Sequence, residues 1–289
     1  MPWATQTSNA SDRASEMSER MVQTVLGRVR VEVAGDGPPI LFWPSLLMTG
    51  SLWRAQVERF AATYTTVAID PPGHGDSEPL SAGFSFGDCA RTVEQILDGL
   101  GFGAAHFVGN SWGGMIGATF AATSPERALS CVLMNCTASP AGRRQRVEYG
   151  LLRRAAVLRG GLKPPLTRAA IDAFLGPTSK RSRPEAVEHV RRAALAADIR
   201  SVRWAVQSVV PGRPDQRPLL GRIKAPTLVI AGEEDATFPV AETRAMAAGI
   251  PGARFETIEG TAHLVALEAP ERVNALIGEH LERVGRTSG

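Results

Sequence analysis

The chain has 289 residues, 44% hydrophobic and 21% charged, and a net charge of +3. This is long enough for one large α/β domain with an insertion. It holds nothing near the roughly 18 consecutive apolar residues of a membrane span, no overall charge excess that selects a partner, and too few cysteines for a disulfide framework or a spaced metal set.

The three cysteines, Cys89, Cys131 and Cys136, point to a reducing compartment, so a cytoplasmic location is expected. In chain order, Met1 to Arg20 is polar and lacks the apolar core of a signal peptide, and it reads as a flexible tail. Met21 to Gly35 predicts two short strands around Gly27. Pro38 to Pro44 predicts a buried strand bounded by prolines. Ser51 to Tyr64 has helical spacing through Trp53, Val57 and Phe60. Thr65 to Asp70 is β-branched and apolar, hence a strand. Ser85 to Gly101 carries an amphipathic stripe and a glycine stop, hence a helix. "AAHFVGN" is a strand, "WGGMIGATFAATSP" a helix, and Ala128 to Cys136 another buried strand.

Alternation resumes late, with strands at Ala225–Gly232 and Ala253–Gly260. Helices are predicted at Val240–Ile250 and at Pro270–Val284, the latter with proline at its first position. Regular alternation implies a mostly parallel sheet covered on both faces. Between Pro140 and Arg217 the pattern is helical only, in "RRQRVEYGLLRRAAVLRGG", "RAAIDAFLG" and "RPEAVEHVRRAALAADIRSVRWAVQSVV". The expected organisation is therefore a tail at 1–20, an α/β core at 21–139 and 218–289, and a helical cap at 140–217.

The cap is basic. From Ala141 to Arg217 there are 17 Lys and Arg against 6 Asp and Glu, which leaves 15 basic and 23 acidic residues elsewhere. Such a segment is either a solvated helical face or a site for an anionic partner. Trp204 and Phe174 either line an apolar pocket or pack the cap helices, and packing is the expectation.

The chemistry is carried by "HFVGNSWGG". A parallel strand delivers its C-terminal end to the ligand side of a sheet. A sharp turn there lifts Ser111 above the sheet, and Gly109 and Gly113, two residues to either side, meet the need for small neighbours. Ser111 also lies at a helix N-terminus, where free N–H groups favour developing negative charge. Serine needs a base, and the base needs an orienting acid. Among five histidines, His74 sits in a loop after a strand, His106 inside a strand as a packed or edge residue, His189 in the cap, and His280 in the final helix, where exposure is expected. His263, in the loop "EGTAHLVALEAP" after a late strand, opens on the ligand side and is the best base. Asp235, in "LVIAGEEDATFP", is the acid, with Glu233 and Glu234 as neighbours that could be mistaken for it.

The order Ser, Asp, His, with these motifs, resembles the α/β-hydrolase fold superfamily over roughly residues 20–285. "GNSWGG" is similar to its nucleophile elbow, "IDPPGHGDSEP" to the loop after its fourth strand, "VIAGEEDATFP" to its acid loop and "IEGTAHLVALEAPERV" to its histidine loop. The resemblance implies an eight-stranded, mostly parallel sheet with a lid inserted after strand six, and it gives His74 a structural place. One departure stands out: the family's His-Gly after the third strand is replaced by Pro44-Ser45. An ungapped count makes Leu46 and Trp112 the oxyanion N–H donors, and a one-residue slip would substitute Ser45. This departure, a similar Ser-Leu and the final third of the chain look most like the beta-ketoadipate enol-lactonases.

The function expected is hydrolysis of a small carboxylic ester or lactone through an acyl-enzyme, by Ser111, His263 and Asp235. Neither metal nor cofactor is needed. The basic cap suggests a carboxylate-bearing substrate, such as an enol-lactone acid or the monoester of an aromatic diacid. A cofactor-free perhydrolase would use the same triad. A non-catalytic ligand-binding protein on this fold would tend to lack triad members, and nucleic-acid binding by the cap would call for motifs that are missing. No membrane partner is expected, and the sequence leaves the oligomeric state open.

Overall fold

A computed structural model of the chain describes residues 17–287. Eight strands form one sheet in the order β1-β2-β4-β3-β5-β6-β7-β8. They are β1 (Ser18–Thr24), β2 (Gly27–Ala34), β3 (Pro39–Trp43), β4 (Thr65–Ile69), β5 (Ala105–Asn110), β6 (Ala128–Met134), β7 (Thr227–Gly232) and β8 (Arg254–Ile258). β1 and β2 pair antiparallel, as do β2 and β4, and every other pairing is parallel. The expected eight-stranded, mostly parallel sheet is present. β1 begins at Ser18, so the last residues assigned to the tail, Ser18 to Arg20, belong to the sheet. Residues 1–16 of that tail lie outside the described residues.

The strands are apolar on both faces because both are covered. Leu41, Phe107, Leu133 and Val229 point to one side and pack with α2 (Phe86–Leu100) and α3 (Trp112–Thr123). Ile40, Phe42, Val108, Val132, Leu228 and Ile230 point to the other and meet α1 (Arg54–Phe60) and the last helix. This is the two-residue period of a strand read out as two cores. α2 starts where Ser85 and Asp88 cap each other's backbone N–H groups and stops at Gly101, in the left-handed conformation at φ 81°.

Six helices lie between β6 and β7, the first five being α4 (Arg143–Arg159), α5 (Leu166–Phe174), α6 (Pro177–Ser182), α7 (Pro184–Ala196) and α8 (Ile199–Val209). The third helical stretch of the sequence is thus two helices. Asp198 separates them, its carboxylate accepting the Arg200 N–H at 3.0 Å as an N-cap. A short α9 (Arg217–Leu220) leads back to the sheet. α10 (Val240–Gly249) follows β7, and α11 (Val265–Glu268) and α12 (Pro270–Thr287) follow β8.

His280, expected to be exposed, is buried on α12. It lies on the apolar stripe of Val273, Leu276, Ile277, Leu281 and Val284, at four residues from Leu276 and three from Ile277. His106 is packed as expected, its Nδ1 at 2.8 Å from the Ser130 hydroxyl. Among the described residues no helix is long and apolar enough to cross a membrane.

Candidate active site

β5 ends at Asn110, and the chain turns into α3 through one residue, Ser111, at φ 55° and ψ −110°. A side chain seldom occupies this region, and holding it there costs about 1–3 kcal/mol. The close turn explains the glycines. A Cβ on Gly109 would lie 2.3 Å from the Gly113 backbone, and one on Gly113 would lie 2.0 Å from the Trp43 carbonyl. The Ser111 N–H is tied to the Met134 carbonyl of β6 at 2.7 Å, which fixes the turn against the neighbouring strand.

Two further strand ends, those of β7 and β8, bring the other groups to this point. The Ser111 hydroxyl lies 2.8 Å from His263 Nε2, and His263 Nδ1 lies 2.8 Å from Asp235 Oδ2. The carboxylate only accepts, so Nδ1 carries the proton and Nε2 is left to accept from the serine. Asp235 Oδ1 is held by the N–H groups of Thr237 at 2.8 Å and Phe238 at 3.1 Å. All three side chains are buried. Glu233 and Glu234, beside Asp235 in sequence, turn away to Thr257 and Thr178.

Four groups that support this line were not singled out as site residues from sequence. Asn135, just past β6, donates from Nδ2 to Asp235 Oδ2 at 2.9 Å and to the Ala262 carbonyl at 2.8 Å. It sits at φ 49°, a conformation asparagine tolerates better than most residues. Asn110 donates to the His263 carbonyl at 2.8 Å. Glu268 accepts the N–H groups of Ala262 and Leu264, on either side of His263, each at 3.0 Å, together with the Ser179 hydroxyl. Burial raises its pKa above the usual carboxylate value, against the pull of those hydrogen bonds. Phe174 stacks on the His263 ring at 5.6 Å, and its carbonyl accepts the His263 N–H at 3.2 Å. Phe174 therefore belongs to the site and does more than pack the inserted helices.

Pro44-Ser45 begins a loop whose strain falls at Leu47, at φ 67°, and leaves Ser45 unstrained. The Leu47 N–H donates to His74 Nε2 at 3.2 Å, and His74 Nδ1 lies 3.1 Å from the Pro72 carbonyl. Burial lowers the His74 pKa to about 4, so the ring is neutral and acts as an acceptor that braces the loop. Leu46 lines the cavity above Ser111, whereas Ser45 does not. Among the described residues, neither the Leu46 nor the Trp112 N–H has a hydrogen-bond acceptor.

The cavity encloses about 150 Å³ and is bounded by Ser111, His263, Met115 and the inner faces of the inserted helices, including Ala170, Val206 and Val209. Its wall is mostly aliphatic. The basic charge of the insertion mostly faces water: of its 17 basic residues thirteen are exposed, Arg153, Arg183 and Arg203 are half-buried, and only Arg213 is buried.

Compared with known proteins, residues 38–270 match the alpha/beta hydrolase fold. The RutD protein of Azorhizobium caulinodans, named for carbamate hydrolysis, is 29% identical over 85% of this chain and 92% of its own. The 3-oxoadipate enol-lactonase 2 of Acinetobacter baylyi is 27% identical over 86% of this chain and 90% of its own. The structure of a thermophilic esterase from Thermogutta terrifontis superposes with a TM-score of 0.85 at 26% identity, covering 92% of this chain and 99% of that one.

Proposed function

The chain belongs to the alpha/beta hydrolase fold family, and from that premise we propose that it hydrolyses small carboxylic esters or lactones through an acyl-enzyme on Ser111. The observation that carries the reading is the unbroken line from the Ser111 hydroxyl through His263 to Asp235, with both links at 2.8 Å, on the floor of an apolar cavity. The esterase and enol-lactonase relatives support the same class of carbonyl substrate.

His263 Nε2 takes the proton of Ser111 as the oxygen attacks the carbonyl. Asp235 holds the imidazole tautomer and stabilises the imidazolium that forms. The N–H groups of Leu46 and Trp112 receive the negative oxygen, Trp112 from the N-terminus of α3. Collapse expels the alcohol, which takes its proton from His263. Water then attacks the acyl carbon as it gives a proton to His263; the bond from Ser111 to the acyl group breaks, Ser111 takes that proton back from His263, and the acid leaves. The inserted helices act as a cap: they supply the cavity wall and so select the acyl group. The small volume and aliphatic wall favour a short, apolar segment next to the reacting carbonyl, from which water is displaced at little polar cost.

The test is turnover of a p-nitrophenyl ester and lactone panel by the wild type and by Ser111→Ala. The expected result is wild-type turnover and a loss of about 10⁵-fold or more in kcat in the variant. Full activity in Ser111→Ala would refute the mechanism.

A further inference from the structure

Arg213 is the one buried basic residue of the insertion, at 5% exposed, and it lines the same cavity as Ser111 and His263, where the half-buried Arg153 also borders the wall. Its guanidinium lies 5.3 Å from the centre of the Phe238 ring, and the other neighbour of Phe238 is the His263 ring at 5.6 Å. One aromatic ring therefore separates this cation from the proposed base. Nε donates to the Ser139 carbonyl at 2.8 Å, and Nη2 donates to Gln145 Oε1 at 3.1 Å. A guanidinium has five N–H donors, and the remaining three have no partner among the described residues.

No carboxylate lies within ion-pair distance of Arg213 among the described residues. Glu242 is near enough to favour its charged form, but Glu242 accepts the Thr137 hydroxyl at 2.9 Å and stays apart. Burial pulls the Arg213 pKa down, and the charge of Arg146 pulls in the same direction. A cation buried without a counter-ion is costly, and a protein that keeps one gains when an anion arrives. The thirteen exposed basic residues carry no comparable information, since water already solvates them.

Building on the ester-hydrolase reading above, we propose that Arg213 is the specificity-determining anchor for a carboxylate on the acyl part of the substrate. The substrate class is then the half-ester of a dicarboxylic acid, or a lactone bearing a carboxylate. Its reacting carbonyl lies at Ser111, its short apolar spacer lies along the aliphatic wall past Phe238, and its carboxylate takes the free fork of Arg213. Arg suits this role because its planar fork pairs with both carboxylate oxygens. Uniform binding of this kind lowers KM more than it raises kcat.

The experiment compares kcat/KM for mono-p-nitrophenyl esters of glutaric, adipic and suberic acids with the neutral p-nitrophenyl esters of the same chain lengths. Wild type, Arg213→Met and Arg213→Lys are measured at low and at high salt. The wild type is expected to prefer one acid ester over its neutral partner. That preference should shrink about 10- to 100-fold in Arg213→Met, chiefly through KM, and should return in part in Arg213→Lys. It should also survive high salt, because a buried pair is weakly screened. Competitive inhibition of the wild type by the free dicarboxylates, set against matched monocarboxylates, gives the same reading if Arg213→Met does not fold. An absent preference, one that salt abolishes, or one that Arg213→Met leaves intact overturns the assignment. A role confined to tethering α4 through Gln145 would lower kcat/KM for both ester classes alike, and that also overturns it. Labelling of Ser111 by a fluorophosphonate keeps the two readings apart. A labelled, active enzyme without acid preference refutes Arg213 alone, whereas an enzyme neither labelled nor active refutes the hydrolase reading beneath it.

Discussion

Asn135 joins the two loops that the proposed mechanism needs in register, and Asn135→Ala measures what that join contributes. The side chain makes two hydrogen bonds: one to the Asp235 carboxylate at 2.9 Å and one to the Ala262 carbonyl, next to His263, at 2.8 Å. Removing a buried bond to a charged group costs about 1.5–3 kcal/mol and removing a neutral one about 1 kcal/mol. The φ of 49° adds about 1 kcal/mol, because alanine resists the left-handed region. The sum is about 4 kcal/mol, which lowers Tm by about 10 °C in a domain of this size. Asp235 keeps the Thr237 and Phe238 N–H groups and the His263 Nδ1–H, so the triad is loosened and not dismantled. The expected kinetic result is about a 10-fold fall in kcat with KM nearly fixed, since nothing that touches the substrate is removed.

Asn135→Gly separates backbone from side chain. It relieves φ but restores neither hydrogen bond, so kcat should stay as low as in the alanine variant while Tm recovers by the backbone share. The assays are ester turnover with saturating substrate and thermal unfolding followed by circular dichroism. If Asn135→Gly regained full kcat, the two side-chain bonds would have no catalytic role. If Asn135→Ala lost stability and kept kcat, the residue would be a structural tie only.

Three further predictions follow from other parts of the molecule. Burial lowers the pKa values of His74, His106 and His280 to about 4. Below about pH 6.5 the unfolded chain therefore binds protons that the folded chain refuses. The stability these rings allow is complete above that pH and is lost as pH falls towards 4, by about 3 kcal/mol for each. Urea midpoints should drop between pH 7.5 and 5, and His280→Gln should flatten the slope by about 1.4 kcal/mol per pH unit; an unchanged slope would contradict the burial argument. Glu268→Ala strands the Ala262 and Leu264 N–H groups beside His263 and should lower kcat about 100-fold, with Glu268→Gln recovering part of the loss because an amide oxygen still accepts. Equal kcat in both variants would exclude that bracing role. Ala170→Phe places a ring in the cavity wall and should cut kcat/KM for the longer acyl esters by about 10-fold more than for acetate esters; a uniform loss would mean that Ala170 does not border the acyl group.

The sequence showed most of what is local. Ser111 announces itself because its turn demands small residues two before and two after, and those demands are met within five positions. Asp235 and His263 lie in loops that follow strands, and the parallel sheet sends such loops to one edge. Asn135 and Arg213 carry no such mark. Asn135 meets Asp235 across 100 positions and Ala262 across 127, so its importance exists only once β6, β7 and β8 are aligned. Arg213 is one of 17 basic residues whose summed charge suggested an anionic partner. That sum is mostly a solvated surface, and its one buried charge is found only in the fold. The burial of His280 is legible in principle: its place on the stripe of α12 is set by helical spacing, but a polar residue in a polar-looking helix invites an exposed assignment.

Strain locates the working part of this fold more sharply than charge does. Among the described residues three non-glycine positions have positive φ: Leu47, Ser111 and Asn135. They occupy the loops after β3, β5 and β6, and each touches the proposed machinery: the oxyanion loop, the nucleophile and the tie between acid and base loops. Each costs about 1–3 kcal/mol, so relaxed alternatives are always available to a loose chain. They are withheld here because every strained residue is fastened to the sheet or a buried group: Leu47 to His74, Ser111 to the β6 carbonyl at Met134, and Asn135 to the β7 carbonyl at Ile230. On the proposed mechanism, the same fastenings hold the N–H donors and imidazole in place before any substrate arrives, which is what preorganised stabilisation of a developing oxyanion requires. The inserted helices carry no such residue, so they can vary the cavity wall without disturbing that arrangement. On this division, substitutions in the wall should change which ester is taken, and substitutions at the three strained positions should change how fast any ester reacts.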